Sequence, residues 1–255
     1  MKIKPRRTCV VLQPGYLPWL GFFEQMQRCD EFVFLDDVQY DKHGWRNRNR
    51  IKGPSGPQWL TVPVRLRGLS RPSIKDVEID TTQRRWSEKH LQALRTNYGP
   101  CPYFDWLYPE LESILRQPRA SIAELDIAAI ERLCGLLGIS RPIRRSSSMR
   151  ISGDRCERLV DVCRLLNCDH YYSGAAARDY LDLDTFERAG VTVEFQDYAH
   201  PRYAQPWGDF VSHLSIVDLL FNCGPDSLAV VVGAPISETE DVRAGDGRAV
   251  ATAAR

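Results

Sequence analysis

Residues 9–35 read CVVLQPGYLPWLGFFEQMQRCDEFVFL, and this stretch decides the fold. Cys9–Leu12 is an uninterrupted apolar run, as is typical of a strand buried on both faces. Apolar residues at helical spacing follow, and we expect a helix that begins near Pro18 and continues to Arg28. A second strand-like run, Glu31–Leu35, is apolar after its first residue and ends at two aspartates. Strand, helix and strand in this order predict a parallel βαβ unit.

The rest of the chain continues the alternation of strands and helices. Residues 82–138 show helical periodicity in three segments, and strands are predicted on either side of them, at 59–64, 74–79, 169–172 and 191–195. The sequence therefore predicts an α/β fold: a Rossmann-like open, mostly parallel sheet with a helical insertion in the middle. We assign residues 1–233 to a single domain. Residues 234–255 lack aromatic side chains, and we expect them to form a disordered C-terminal tail.

Composition excludes several classes of protein. The chain has 255 residues and a formal net charge of +1, which argues against a general nucleic-acid binder. It has no apolar run of about 18 residues, so we expect no membrane span. The apolar run after the basic N-terminus stops at Leu12, too early for a secretory signal, and we expect a cytoplasmic protein. Its eight cysteines form no C-x-x-C pair, and the sequence predicts reduced core thiols and no cysteine metal site.

The turn after the first strand is the first candidate site. Ligands of open parallel sheets bind at the carboxyl ends of strands, and the turn from Gln13 to Trp19 lies at such an end. Gln13 can donate and accept hydrogen bonds, and Tyr16 and Trp19 can stack on a base or a sugar. The turn has neither a G-x-G-x-x-G fingerprint nor a P-loop. The alternative is a rigid, proline-flanked turn whose aromatic rings only pack.

Asp36 and Asp37 end the second predicted strand and form the second candidate. A carboxylate there can accept a sugar hydroxyl, help to hold a metal, or act as a general base. Adjacent residues of an extended chain point to opposite sides, so at most one of the two should face the site. Gln39 and Tyr40 follow directly and are assigned to substrate binding. The alternative is a pair of exposed turn carboxylates.

The third candidate is the run from Trp45 to Arg50. If the run is extended, one face carries Trp45, Asn47 and Asn49, and the other carries three arginines, Arg46, Arg48 and Arg50. Arginine suits phosphate or carboxylate, and asparagine suits a sugar or an amide. We assign Trp45, Asn47, Arg48, Asn49 and Arg50 to substrate binding. The alternative is a solvated basic face.

Two later segments complete the set of candidates. Ser173 follows a predicted strand, where its hydroxyl can contact a phosphate. The loop of residues 198–206 contains His200, which we take as the general acid–base candidate because it lies outside any apolar run. Tyr203 and Gln205 of the same loop are assigned to substrate binding. The alternative for His200 is a purely structural histidine.

These residues occur in motifs that resemble the WbqC-like protein family over about residues 8 to 232. The matching motifs are Q-P-x-Y-L-P-W-x-G-F-F, L-D-D-V-Q-Y, W-x-N-R-N-R-I-K, Tyr98-Gly99, Tyr172-Ser173-Gly174, H-P-x-Y-x-Q at residues 200–205 and S-I-V-D-L-L-F-N-x-G at residues 215–224. Leu12 stands where many relatives look to have a histidine. The resemblance implies acylation, particularly aminoacylation, of an amino sugar or another amine in polysaccharide or natural-product biosynthesis.

We therefore expect an amide-forming acyl or aminoacyl transferase or ligase. Asp37 or His200 would act as the base, and Gln13 and Asn47 would donate hydrogen bonds near the acyl oxygen. Its partner would be a small amine or amino sugar, with no nucleic acid and no membrane.

The donor stays open: it is either an adenylate made from ATP with Mg²⁺ or a phosphopantetheine thioester on an acyl carrier protein. Arg48 and Arg50 would hold the phosphate of the nucleotide, phosphopantetheine or sugar nucleotide. Cys101 and Cys223 are the candidate covalent acyl carriers, although nothing near them in the sequence lowers a thiol pKa. The alternative function is a non-catalytic module that binds a nucleotide sugar or a carrier protein.

Overall fold

A computed structural model describes residues 6–234. Its strands are β1 (Thr8–Leu12), β2 (Glu31–Phe34), β3 (Arg48–Gly53), β4 (Gly56–Thr61), β5 (Ile143–Arg145), β6 (His170–Ser173) and β7 (Thr192–Phe195). Its α-helices are α1 (Leu20–Arg28), α2 (Trp86–Tyr98), α3 (Phe104–Arg116), α4 (Ile122–Leu137), α5 (Arg155–Leu165), α6 (Leu183–Arg188), α7 (Ile216–Cys223) and α8 (Ser227–Val231). The predicted tail lies outside the described residues, apart from its first residue.

A parallel sheet of five strands forms the centre of the fold, in the order β5-β2-β1-β6-β7. Every neighbouring pair in it is parallel; Val10 pairs with Phe32, for example, and Thr8 with His170. If only the five strands of this sheet are numbered along the chain, their order across the sheet is 3-2-1-4-5, which is the order of the first five strands in a doubly wound sheet. The predicted α/β fold with a parallel sheet is confirmed. Strand order changes direction between β1 and β6, where such sheets bind ligands.

Both faces of the sheet are buried, which explains the uninterrupted apolar runs. Val10 and Phe32 point into a core formed with α1, α4 and α7, whereas Cys9, Val11 and Val33 pack on the opposite face against α5 and α6. The first βαβ unit is therefore as predicted, except that α1 begins at Leu20 instead of near Pro18. Among the described residues, no helix is both long and apolar enough to cross a bilayer.

Two predicted strands turned out differently. Of the strand predicted over residues 59–64, only residues 59–61 belong to β4, which pairs antiparallel with β3 in a separate hairpin, with Arg50 opposite Trp59. The strand predicted over residues 74–79 is wrong. Ile74–Asp76 is a 3₁₀ turn, and Val77 follows it with a buried side chain. Apolar residues three apart fit one side of such a turn, and this spacing was mistaken for strand alternation.

The helical segment predicted at 82–138 contains α2, α3 and α4, inserted between β4 and β5. Ser121 caps α4, because its hydroxyl accepts a hydrogen bond of 3.2 Å from the Glu124 amide. Gly138 ends the helix in the left-handed conformation, at φ 74°.

Candidate functional site

A cleft of about 910 Å³ opens at the carboxyl ends of β1, β2 and β6. Its walls come from the segments that follow β1 and β2, from β6, from the loop before β3, from the start of α5 and from the loop before α7. Side chains in its lining include Gln13, Trp19, Gln39, Trp45, Arg46, Asn49, Arg155, Arg158, Tyr180 and His213. The cleft therefore lies where a parallel sheet of this order binds its ligand.

The turn after β1 is a strained segment that neighbouring side chains hold in place. Leu17 has a φ of 43°, in the left-handed region that side chains disfavour. Asn49 Nδ2 donates to the carbonyls of Tyr16 (3.2 Å) and Leu17 (2.7 Å), and Ser215 Oγ also donates to the Leu17 carbonyl (2.7 Å). These bonds fix the wall that presents Gln13 and Trp19 to the cleft.

Three arginines give the cleft a positive lining. Arg46 Nη1 donates to the Pro14 carbonyl (2.9 Å), while its buried Nε has no partner among the described residues. Burial lowers the pKa of Arg46, but a guanidinium stays charged at neutral pH. Arg158 and Arg155 lie at the start of α5, and the Arg155 guanidinium stacks on Tyr180, 4.6 Å from the ring centre. Arg46 belongs to the candidate segment from Trp45 to Arg50, and Arg155 and Arg158 belong to no candidate segment. None of the three was among the predicted site residues.

Arg158 is already paired with Asp37 behind the lining, at 2.7 Å, and the other two guanidinium groups face few carboxylates. Among the described residues that line the cleft, Asp154 is the only one that carries a carboxylate. It is occupied as the cap of α5, where it accepts hydrogen bonds from the amides of Cys156 (2.9 Å) and Glu157 (3.1 Å). The cleft is therefore suited to an anion.

Comparisons with known proteins identify the family of the chain. The WbqC-like protein family matches residues 13–230, a range that contains every side chain named in the cleft. The chain belongs to the WbqC-like protein family. It is 37% identical over 226 residues to an uncharacterized protein of Mycobacterium tuberculosis, Rv1507c, and the match covers 87% of this chain and 96% of the relative. No solved structure matches.

In this WbqC-like chain, the paired aspartates brace the cleft from behind its lining. Asp36 is buried and accepts hydrogen bonds from Ser147 N (2.9 Å) and Ser147 Oγ (2.7 Å). Asp37 accepts from Ser146 Oγ (2.5 Å) and forms an ion pair with Arg158 (2.7 Å). Burial by itself would raise the pKa of Asp37, but these hydrogen bonds and the Arg158 charge hold it below its ordinary value. Asp37 is thus a weak base that positions Arg158.

The histidine that the sequence favoured is not the one that lines the cleft. His200 lies in an aromatic cluster beside the cleft with Trp19, Tyr203 and Phe210. Burial lowers its pKa, and its Nε2 is buried without a partner in the part of the chain that the structure describes. His213 is exposed, lines the cleft and stacks on Trp19, with ring centres 5.3 Å apart. No feature of the sequence marked His213.

Three other predicted residues of the WbqC-like chain are buried and structural. The Tyr16 hydroxyl donates to His90 Nδ1 (2.9 Å), because the other ring nitrogen of His90 bonds a backbone carbonyl. Burial lowers the pKa of His90 to about 4, so its ring is neutral at pH 7. Asn47 donates to a backbone carbonyl (2.8 Å), and Tyr40 is 4% exposed. None of Tyr16, Asn47 and Tyr40 lines the cleft.

Tyr203 and Gln205 belong to a buried network centred on Asp218. Asp218 Oδ1 accepts from the Tyr203 hydroxyl (2.9 Å) and Gln205 Nε2 (2.8 Å), and Oδ2 accepts from the Tyr98 hydroxyl (2.7 Å). Lys52 Nζ donates to Gln205 Oε1 (3.2 Å). The network ties residues 203–205 to β3, α2 and α7, and it lies outside the lining of the cleft.

The rim of the cleft is aromatic and polar. Trp45 is 44% exposed and packs against Trp59 of β4, and Gln39 is exposed beside it in the lining. The Arg48 guanidinium lies over Trp59, 4.7 Å from the ring centre, and that of Arg50 lies over both Trp45 (5.6 Å) and Trp59 (5.8 Å). Neither arginine lines the cleft. Ser173 ends β6 as a buried residue and is likewise absent from the lining.

No cysteine of the WbqC-like chain lines the cleft. Burial raises the pKa of Cys101 and of Cys223 to about 11, so neither thiol forms an appreciable amount of thiolate at neutral pH. Across residues 6–234, there is also no group of three or more His, Cys, Asp and Glu side chains able to hold a metal ion. A covalent cysteine intermediate therefore has no support in the geometry.

Proposed function

We propose that this protein is an amide-forming acyl or aminoacyl transferase or ligase. It would attach a small amino-acyl group to the amine of a phosphate-bearing sugar or specialised metabolite. The observation that carries the proposal is the cleft at the carboxyl ends of β1, β2 and β6, with three arginines and one occupied carboxylate in its lining. Such a cleft favours an anionic ligand, and its aromatic rim favours a sugar or a base.

Phosphate recognition falls to Arg46, Arg155 and Arg158. This replaces the expectation that Arg48 and Arg50 hold the phosphate, because both guanidinium groups pack on tryptophans of the rim and neither lines the cleft. The three cleft arginines suit the phosphates of ATP, of a phosphopantetheine arm or of a sugar nucleotide equally well.

The acyl group would lie at the turn after β1. Amide formation requires an oriented amine, a proton acceptor and donors for the developing oxyanion. The Gln13 side-chain amide lines the cleft and can donate to that oxygen, and Trp19 beside it offers a flat apolar wall. Asp37, whose carboxylate is engaged by Ser146 and Arg158, would orient the phosphate-binding arginine instead of removing the proton.

One observation favours the alternative, a non-catalytic module that binds a nucleotide sugar or a carrier protein. Both bases expected from the sequence, Asp37 and His200, are unsuited to proton transfer, the first because it is ion-paired and the second because it is buried beside the cleft. Both functions require an anionic ligand in the cleft, so ligand binding does not distinguish them. Amide formation does.

The test is product formation from each class of donor. Purified protein with Mg²⁺, ATP and a pool of amino acids is assayed for ATP–pyrophosphate exchange. Aminoacyl-pantetheine thioesters are then supplied with glucosamine 6-phosphate, and the products are analysed by mass spectrometry. Exchange that depends on one amino acid identifies an adenylate-forming ligase, and amide formation from the thioester identifies a transferase. Binding of glucosamine 6-phosphate without an amide from either donor would support the binding module.

Two arginines of α5 provide a matched pair of variants. Arg155→Gln removes a cleft guanidinium, whereas Arg164→Gln removes an exposed one from the same helix, outside the lining. A hydrogen bond to a charged group contributes about 1.5–3 kcal/mol, so Arg155→Gln should raise the KM for glucosamine 6-phosphate at least about tenfold. Equal effects of the two substitutions would contradict anion binding in the cleft.

A further inference from the structure

His213 reaches the cleft in a conformation that its surroundings maintain. Its φ is 58°, in the left-handed region that favours glycine, and such strain persists only where neighbouring groups enforce it. Arg50 Nη2 donates to the His213 carbonyl (3.4 Å), and the Arg50 carbonyl accepts from the Ser215 amide (2.9 Å). Trp19, bridged to Ser215, supplies the surface on which the imidazole stacks.

The buried Asp218 network holds the loop that leads to His213. Lys52 Nζ donates to the carbonyls of Gly208 (3.3 Å) and Asp209 (2.5 Å). Gln205 exchanges two hydrogen bonds with the backbone of Val211, at 2.9 and 3.0 Å. Asp218 in turn fixes the amide of Gln205, so the position of residues 205–213 depends on groups that never contact the cleft.

The ring of His213 has one nitrogen engaged and one free. Nδ1 lies 2.8 Å from Ser212 Oγ, while Nε2 has no hydrogen-bond partner among residues 6–234. When Nδ1 donates its proton to Ser212, Nε2 carries the lone pair, which is the tautomer that a general base requires. Stacking on Trp19 and a tilted contact with the His200 ring, whose centre is 5.0 Å away, restrict the plane of the imidazole.

We infer that His213 is the general base of the cleft and that Lys52, Gln205 and Asp218 are its positioning residues. This inference rests on the proposed function. The amine nitrogen of the acceptor forms a C–N bond with the acyl carbon of the thioester or acyl adenylate, and the C–S or C–O bond breaks. The leaving thiolate or AMP takes the electron pair, and the proton lost by nitrogen moves to His213 Nε2.

The test uses His213→Gly, which the backbone conformation itself favours. Glycine tolerates φ 58° without strain, so the variant should fold, and circular dichroism checks that it does. General acid–base catalysis contributes about 10²–10⁴-fold, so kcat for amide formation should fall by that factor while the KM for glucosamine 6-phosphate changes little. Added imidazole should restore part of kcat in this variant. Full activity in His213→Gly, or a loss that imidazole does not restore, would overturn the inference.

Two controls separate this role from a structural one. His43→Gln changes an exposed histidine outside the cleft lining and should leave kcat unchanged. Gln205→Ala should lower kcat by loosening the loop, and imidazole should not restore it because His213 is still present. Restoration in Gln205→Ala would overturn the positioning role.

The proposed function and this inference fail in distinguishable ways. If the wild-type protein forms no amide, the proposed function fails. Whether His213 lies at the ligand-binding site is then tested by chemical modification, which needs no catalytic activity. Diethyl pyrocarbonate modification is mapped by mass spectrometry with and without glucosamine 6-phosphate. The ligand should slow modification of His213 and not of His43; equal rates at His213 with and without ligand would overturn its assignment to the site.

Discussion

Replacing Asn49 should destabilise the protein more than replacing the nearby buried Asn47. Its side chain is 3% exposed and makes three hydrogen bonds: Nδ2 donates to the Tyr16 and Leu17 carbonyls, and Oδ1 accepts from the Arg50 amide (2.8 Å). Asn47, two residues earlier and also buried, makes one side-chain hydrogen bond, to a backbone carbonyl. The two asparagines therefore form a matched pair.

The expected magnitudes follow from these bonds. A net contribution of about 1 kcal/mol per hydrogen bond predicts that Asn49→Ala lowers the free energy of unfolding by about 3 kcal/mol, and Asn47→Ala by about 1 kcal/mol. At pH 7, Asn49→Asp should destabilise the protein more than Asn49→Ala does, because a carboxylate oxygen would replace the amide donor that faces two carbonyls. Burial there would raise the pKa of the new carboxyl above its unfolded value of about 3.9. Its extra destabilisation should therefore appear as the pH rises above about 4 and be absent below that pH.

Urea denaturation at pH 4 and pH 7, followed by circular dichroism, measures all three variants. If the slope of the unfolding free energy against urea concentration is the same in all variants, each shift in the midpoint reports a change in stability. Equal losses in Asn49→Ala and Asn47→Ala would refute the role of Asn49 in holding the strained turn. A pH-independent effect of Asn49→Asp would refute the placement of its Nδ2 against the two carbonyls.

Three further predictions concern a glycine, a buried acid and the thiols. Gly21→Ala would place a Cβ 2.8 Å from Trp19 Cζ3, so the indole must move. We expect the free energy of unfolding, measured by urea denaturation, to fall by about 1–3 kcal/mol and the near-ultraviolet circular dichroism spectrum to change. An unchanged spectrum would contradict the packing of Trp19 on Gly21. Asp126 is fully buried with both oxygens unpartnered among residues 6–234, and burial raises its pKa well above the ordinary value. Only the unfolded state then ionises above about pH 4, so Asp126→Asn should stabilise the protein increasingly from pH 4 to pH 7, and lower stability at pH 7 would refute this. Cys101→Ser and Cys223→Ser should retain kcat for amide formation, and loss of activity with the fold intact would restore the covalent cysteine hypothesis.

The sheet could be predicted from the sequence because its signal is local. Cys9–Leu12 and Phe32–Phe34 are apolar on both faces, and the structure buries both faces. The rule that ligands bind at the carboxyl ends of parallel strands selects the turn from Gln13 to Trp19, and both of these residues line the cleft. The hairpin β3–β4 was missed because nothing local distinguishes an antiparallel arm from a strand of the main sheet.

The arginines show where the local argument failed. Alternation over residues 45–50 assumed one extended segment, which would place Arg46, Arg48 and Arg50 on the same face. Strand β3 begins only at Arg48, and Arg46 lies in the preceding loop, where its side chain enters the cleft. Its companions Arg155 and Arg158 lie more than a hundred residues further along the chain, and only the folded chain brings the three together.

Long-range partners explain the remaining differences. Tyr203 and Gln205 have side chains suited to ligand binding, but both donate hydrogen bonds to Asp218 of helix α7 instead. His200 has the loop position of a catalytic histidine, yet packing buries its free nitrogen. His213 precedes α7 with no local signal, because both its exposure and its left-handed backbone depend on contacts with Arg50 and Trp19.

Amide formation on a phosphorylated amine tests the central claim most directly. Wild-type protein and Arg155→Gln are incubated with glucosamine 6-phosphate, ATP, Mg²⁺, an amino-acid pool and aminoacyl-pantetheine thioesters, and the acceptor is followed by mass spectrometry. The account predicts that the acceptor gains the mass of one aminoacyl residue with the wild type, at a rate that falls in Arg155→Gln at subsaturating acceptor. An acceptor that binds in the cleft and is recovered unmodified with every donor would contradict it.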